Sequence, residues 1–155
     1  MTKNLIKSFL LISITIFFIS CGTSSTPEPT TNVAKADIKA VFDVPSLIGK
    51  SIDEVRKSLG KPTDKDKEPT KLQMKMNVAT WDNSFEKEGH TLLVTFNPQN
   101  RKVTDFFIET STLTSDYSDL LQLCNVTNDN PNYSIEPVPA LKDNTKYTGI
   151  KIVAK

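Results

Sequence analysis

The residues able to do chemistry are few. They are Cys21, Cys124, the single histidine His90, and a charged run from Asp64 to Glu68. His90 could serve a serine nucleophile as base, with a carboxylate behind it. It follows Gly89 beside Glu86, Lys87 and Glu88, a setting that reads as an exposed turn. No G-x-S-x-G elbow is present, and the glycines at 22, 49, 60, 89 and 149 are too dispersed for a phosphate loop. A zinc site of the His/Cys kind needs three or four ligands, which one histidine and two distant cysteines do not supply. The run Asp64-Lys65-Asp66-Lys67-Glu68 has carboxylates at calcium-loop spacing. The EF-hand loop wants Gly at position six and Glu at position twelve; counted from Asp64, these are Pro69 and Lys75. The interleaved lysines would also repel a cation. The sequence therefore names no catalytic residue, no metal site and no cofactor.

Cys21 is different, because of what precedes it. Lys3 and Lys7 give a positive start. An apolar run from Ser8 to Ile19 follows, and the small Ser20 stands directly before Cys21. This is the layout of a secretory leader. The run is about a dozen residues, against about 20 for a membrane-spanning helix. No A-x-A-like cleavage site is present. Phe17-Phe18-Ile19-Ser20-Cys21 resembles the lipobox of bacterial lipoproteins. That resemblance implies lipid on the Cys21 sulfur, removal of residues 1–20, and a domain held outside the cytoplasm by a membrane anchor. In a cell with an outer membrane, that membrane would carry it.

Composition agrees with a small exported domain. The chain has 155 residues and a formal charge of +1; loss of Lys3 and Lys7 with the leader leaves about −1. Nucleic-acid binding wants a clustered basic face, so no nucleic-acid partner is read here. With Cys21 consumed by lipid, Cys124 has no partner for an internal disulfide. Residues 21–36 are rich in Ser, Thr and Pro and read as a tether. Residues 37–155 are left as a single domain.

The elements of that domain follow from pattern. Ile38–Val44 reads as a weak edge strand. Ser51 and Glu54 form a capping box, with Ile52, Val55 and Leu59 on one face. Gly60 and Pro62 stop that helix. Residues 61–71 read as a loop. Leu72, Met74, Met76 and Val78 alternate with polar residues, which predicts a strand running on to Trp81. Residues 82–89 then read as a turn. Leu92–Phe96 and Val103–Ile108 read as two further strands around an Asn97–Asn100 turn. Tyr117, Leu120, Leu121 and Cys124 predict a second helix, with Cys124 buried. Residues 125–144 hold three prolines and read as loop, and Tyr147–Val153 as a last strand. The fold expected is α+β: an antiparallel sheet of four to five strands with two helices packed on one face, the Met74 stripe against Ile52, Val55 and Leu59.

Trp81 is the remaining candidate for contact with a partner. On the expected strand it shares a parity with Gln73 and Lys75, opposite the Met74 stripe. An aromatic among long polar side chains on an open sheet face fits a protein-binding surface. The alternative is a Trp81 that covers a core edge beneath the following loop. Gly49-Lys50-Ser51, Val55 and Leu59-Gly60-Lys61-Pro62, followed by Trp81 and a hairpin, resemble the SmpA/OmlA-like outer-membrane lipoproteins over about residues 47–108. The resemblance implies a β-lactamase-inhibitor-like fold and a non-enzymatic accessory role in outer-membrane assembly, with an envelope protein as partner. Residues 113–155 lie outside it. An inhibitor-like or ligand-binding lipoprotein and an envelope hydrolase are the alternatives. A cleft joining His90 to an acid and a hydroxyl would favour the hydrolase. An open apolar sheet face would favour a binder.

Overall fold

The computed structural model describes residues 38–155; the leader over 1–20, Cys21 and the tether over 21–36 lie outside the described residues. A 3₁₀ turn over Val44–Leu47 comes first, then helices α1 (Ile52–Leu59) and α2 (Lys71–Lys75). Strands β1 (Trp81–Lys87), β2 (His90–Phe96) and β3 (Val103–Thr114) follow. Helix α3 (Ser118–Leu123) precedes β4 (Tyr133–Ala140) and β5 (Asp143–Ala154). All five strands join one antiparallel sheet in the order β1-β2-β3-β5-β4. The class is α+β, with a meander followed by a hairpin whose second strand lies inside the sheet.

Alternation decides which side of the sheet is buried. Phe85 lies opposite Leu92, Val94 opposite Phe106, and Phe106 opposite Ile152. All are buried. They share one core cluster with Ile52 and Val55 of α1 and with Leu120 and Leu123 of α3. Residues Ala36–Lys155 form a compact unit whose core runs from Val41 to Ile152, so it closes on its own side chains. The other side of the sheet carries Leu93, Thr95, Phe107 and Val153, all partly exposed. The Phe107 ring lies over Gly149. A Cβ there would meet the Ile108 carbonyl oxygen at 2.3 Å and ring carbons at 2.7 Å, so only glycine lets the ring lie flat on β5.

The α1 reading holds in detail. Ser51 Oγ accepts from the Glu54 amide, and the Glu54 carboxylate accepts from the Ser51 amide at 2.9 Å. Gly60 ends the helix at φ 92°. The strand expected over Leu72–Val78 does not form. Thr70 and Gln73 make a second reciprocal capping box and start α2 instead. Helix α2 buries nothing: Leu72 and Met76 are 67 % and 73 % exposed, so the Met74 stripe does not cover α1. The turn expected over 82–89 is mostly β1, because Trp81, Asn83 and Phe85 alternate inward. The loop expected over 125–144 contains β4. Its Pro137 and Pro139 are two residues apart, so both missing donors fall on the same side of an edge strand. The weak strand over 38–44 is replaced by chain whose Val41 and Phe42 amides donate to the Leu123 carbonyl at 2.9 Å.

Val55 is fully buried at the centre of α1. Val55→Asp should bury a carboxylate with no partner and cost several kcal/mol, against a usual total of about 5–15 kcal/mol. Glu54→Ala removes one half of an exposed capping box and should lower Tm far less. Thermal melts of the two variants check the ranking; equal melts would move α1 out of the core.

Candidate functional site

The most connected polar group in the domain surrounds Asn83. This inward position of β1 is fully buried, yet its side chain is polar. Its Oδ1 accepts from Arg56 Nε at 3.0 Å and from Arg56 Nη2 at 2.5 Å; its Nδ2 donates to the Lys67 carbonyl at 3.0 Å. Arg56 continues to Glu68 and to the Lys67 carbonyl. Arg101 grips Asp53 with two nitrogens, at 2.6 and 3.0 Å, and reaches Glu68 at 2.7 Å. Both guanidinium carbons stand over the Phe96 ring, 5.6 and 5.5 Å from its centre. One network thus ties α1, the 61–70 loop, β1 and the β2–β3 turn. Arg101 itself sits at φ 65°, and its carbonyl accepts the Ile52 amide that opens α1. Each guanidinium nitrogen of Arg56 and Arg101 bonds to the protein, so the cluster reads as an internal brace.

The three residues expected to share a sheet face do not share one. Trp81 lies opposite Phe96 on the covered side and packs against the core. Its indole N–H donates to the Asp66 carbonyl at 3.1 Å. Trp81 is therefore closest to the alternative, covering a core edge, with the 61–70 loop as its roof. Gln73 and Lys75 stand in α2; Gln73 is occupied by the cap and Lys75 is exposed. The same loop guards the free edge of β1. Asp64 accepts from the Ser84 amide and hydroxyl, and Thr63 donates to the Ser84 carbonyl. Asp64 is thus a structural acceptor.

His90 lines a cleft of about 440 Å³ with Glu109, Thr110, Ser111 and Asp119, above Leu120 and Leu123. The turn reading put His90 in open solvent, whereas it opens β2 at a partly buried position. The cleft does bring a histidine, acids and hydroxyls together. Among the described residues no hydrogen bond joins His90 to any of them, and the Thr110 hydroxyl donates to the Thr112 carbonyl. No group of three metal-ligating side chains occurs among the described residues. Cys124 ends α3 with its thiol buried, and burial pushes that thiol up to about 12.

The outward sheet face is the surface that pattern analysis placed elsewhere. Leu93 lies opposite Phe107, and the two line a hollow of about 170 Å³ with Ser84, Thr91 and Glu109. The period-two pattern of β2 and β3 contained this face. Trp81 takes its parity from β1, which begins at Trp81, and not from the 72–78 segment, which is helical. Compared with protein-family models, curated proteins and solved structures, the chain matches none.

The brace gives a pH signature. The Arg101 hydrogen bonds hold the carboxyls of Asp53 and Glu68 below their ordinary 3.8 and 4.5. Carboxyls depressed in the folded state stabilise it above their unfolded values, and that help is lost as pH falls through the folded values. Arg101→Gln should melt below the parent at neutral pH, and the gap should narrow once pH drops below about 4. A gap of constant size would mean that the ion pairs contribute nothing. Native Cys124 should label with thiol reagents only as fast as the domain opens; rapid labelling would contradict its burial.

Proposed function

We propose that this chain is a lipid-anchored envelope protein whose domain is a non-enzymatic interaction or scaffolding module. Lipid on Cys21 holds it to a membrane, the outer one where the cell has two. Residues 21–36 give reach, and the domain meets an envelope protein. The observation that carries this reading is the agreement of two boundaries. The Ser/Thr/Pro-rich composition ends at about residue 36, and the compact unit starts at Ala36. A second support is the outward sheet face with Leu93 and Phe107 at its centre. The likeness of residues 47–108 to SmpA/OmlA-like lipoproteins makes outer-membrane assembly the setting within this reading.

The His90 cleft supports a second reading, a ligand-binding lipoprotein or an envelope hydrolase. In that case His90→Gln removes ligand uptake or turnover and leaves membrane anchoring intact.

Two or more acyl chains anchor stably, where a single chain binds only marginally. Cys21→Ser should therefore leave an unprocessed or released protein on cell fractionation. A variant that matures and sediments with membranes as the parent does would overturn the anchor. A photo-crosslinking residue at Leu93 in living cells should give a discrete adduct, and its absence there would count against the module.

A further inference from the structure

Two exposed patches of this domain are complementary in apolarity and charge. The first is α2. Leu72 on the helix and Met76 at its C-cap are 67 % and 73 % exposed. Lys71 and Lys75 are four apart and exposed, and among the described residues neither is in an ion pair. Neither apolar side chain meets the core. A small helix held out by its own capping box, with two apolar tips and two ammonium groups, is shaped as a plug.

The second is the outward face of β1–β3. The hollow beside Leu93 and Phe107 has room for one leucine or methionine side chain. Asp82, Glu86 and Glu109 surround it on the same side of the sheet, by alternation from Ser84 and Phe107. All three are exposed, and among the described residues none is in an ion pair. Lys151, opposite Phe107 on this side, stands 3.7 Å from Asp105. A hollow with Leu93 and Phe107 in its wall and unpaired carboxylates beside it favours an apolar side chain with cations beside it.

We infer that the α2 plug of one copy docks on the outward sheet face of a second copy. Leu72 or Met76 enters the hollow at Leu93 and Phe107, and Lys71 and Lys75 meet Glu86 and Glu109. The two patches belong to different elements. Two reciprocal docks between the same two copies make an isologous two-fold pair, and a single dock per pair is heterologous and runs on as an open row. Two apolar tips and a few exposed ion pairs make a weak contact in bulk solution. Confinement of both copies to one membrane surface by their tethers raises their effective concentration. The inference deepens the interaction-module reading, and it names a second copy as the partner.

Sedimentation of the Ala36–Lys155 unit tests it without lipid. At low salt and protein concentrations up to about 1 mM, the parent should associate reversibly, and salt at about 0.5 M should weaken this. Lys71→Glu with Lys75→Glu, or Glu86→Lys with Glu109→Lys, should each weaken self-association by about tenfold or more at unchanged Tm. An equimolar mixture of the two variants should restore it, because every cross-contact is again complementary. Leu72→Ser should weaken it with no change of charge. A parent that stays monomeric throughout overturns the proposal, as does association that survives both reversals. Binding of the parent to phosphatidylglycerol vesicles through Lys71 and Lys75, with no self-association, also overturns it in favour of a membrane occupant. A Leu93 crosslink whose mass reports a different protein would sink this inference and leave the module reading standing.

Discussion

The buried amide of Asn83 is the constraint around which the rest of this domain is arranged. An inward strand position normally holds an apolar side chain, and a polar one there is costly unless each of its atoms finds a partner. Arg56 supplies the donors and the Lys67 carbonyl the acceptor. Those two partners come from α1 and from the loop after it. Satisfying one side chain of β1 therefore fixes where the helix and the loop must lie. Glu68 and Asp53 then balance the guanidinium charge, and Arg101 extends the same network into the β2–β3 turn. Phe96 lies beneath both guanidinium groups, so the apolar core and the ionic brace meet at one ring. Such a network is specific as well as stabilising, because a half-satisfied version would be worse than none.

The brace also accounts for what the domain leaves open. The 61–70 loop is held down by Arg56 and by the bonds of Asp64 and Asp66 to β1, so it shields one edge of the sheet. At the other edge Pro137 and Pro139 remove donors from β4. Both edges are thereby made poor templates for strand addition. Contact with other molecules is left to surfaces that need no backbone pairing: the outward sheet face, the α2 tip and the His90 cleft. Leu72 of α2 and Met76 after it reach solvent, while Met74 is half-buried.

Patterns of neighbouring side chains carry part of the architecture. The α1 capping box, its apolar stripe, the β2–β3 hairpin and the buried Cys124 were all legible, because each is set by neighbours within a few residues. The α+β class followed from consecutive strands. The 72–78 segment was misread because alternation over a short window is also compatible with a helix. There the Thr70–Gln73 capping box was the deciding local signal. β1 was missed because Asp82, Ser84 and Glu86 made it look like a polar turn, while the inward set of Trp81, Asn83 and Phe85 held a polar residue. β4 was missed because prolines exclude a central strand but not an edge one, and position in a sheet is not a local property.

For the candidate site the division is sharper. The sequence by itself determined the Ser/Thr/Pro-rich composition of residues 21–36, the near-neutral charge and the lack of a His/Cys zinc ligand set, since these depend on residue types and their spacing along the chain. Only the tertiary structure decided that Trp81 points to the covered side, that Leu93 and Phe107 form the centre of the open one, and that Gly149 makes room for the Phe107 ring. It alone joined Asp53, Arg56, Glu68, Asn83 and Arg101 into one brace, and placed His90 in a cleft with Glu109 and Asp119. The physical reason is register. A strand displaced by one residue exchanges its two faces, and the pairing that fixes it comes from residues far away in the chain.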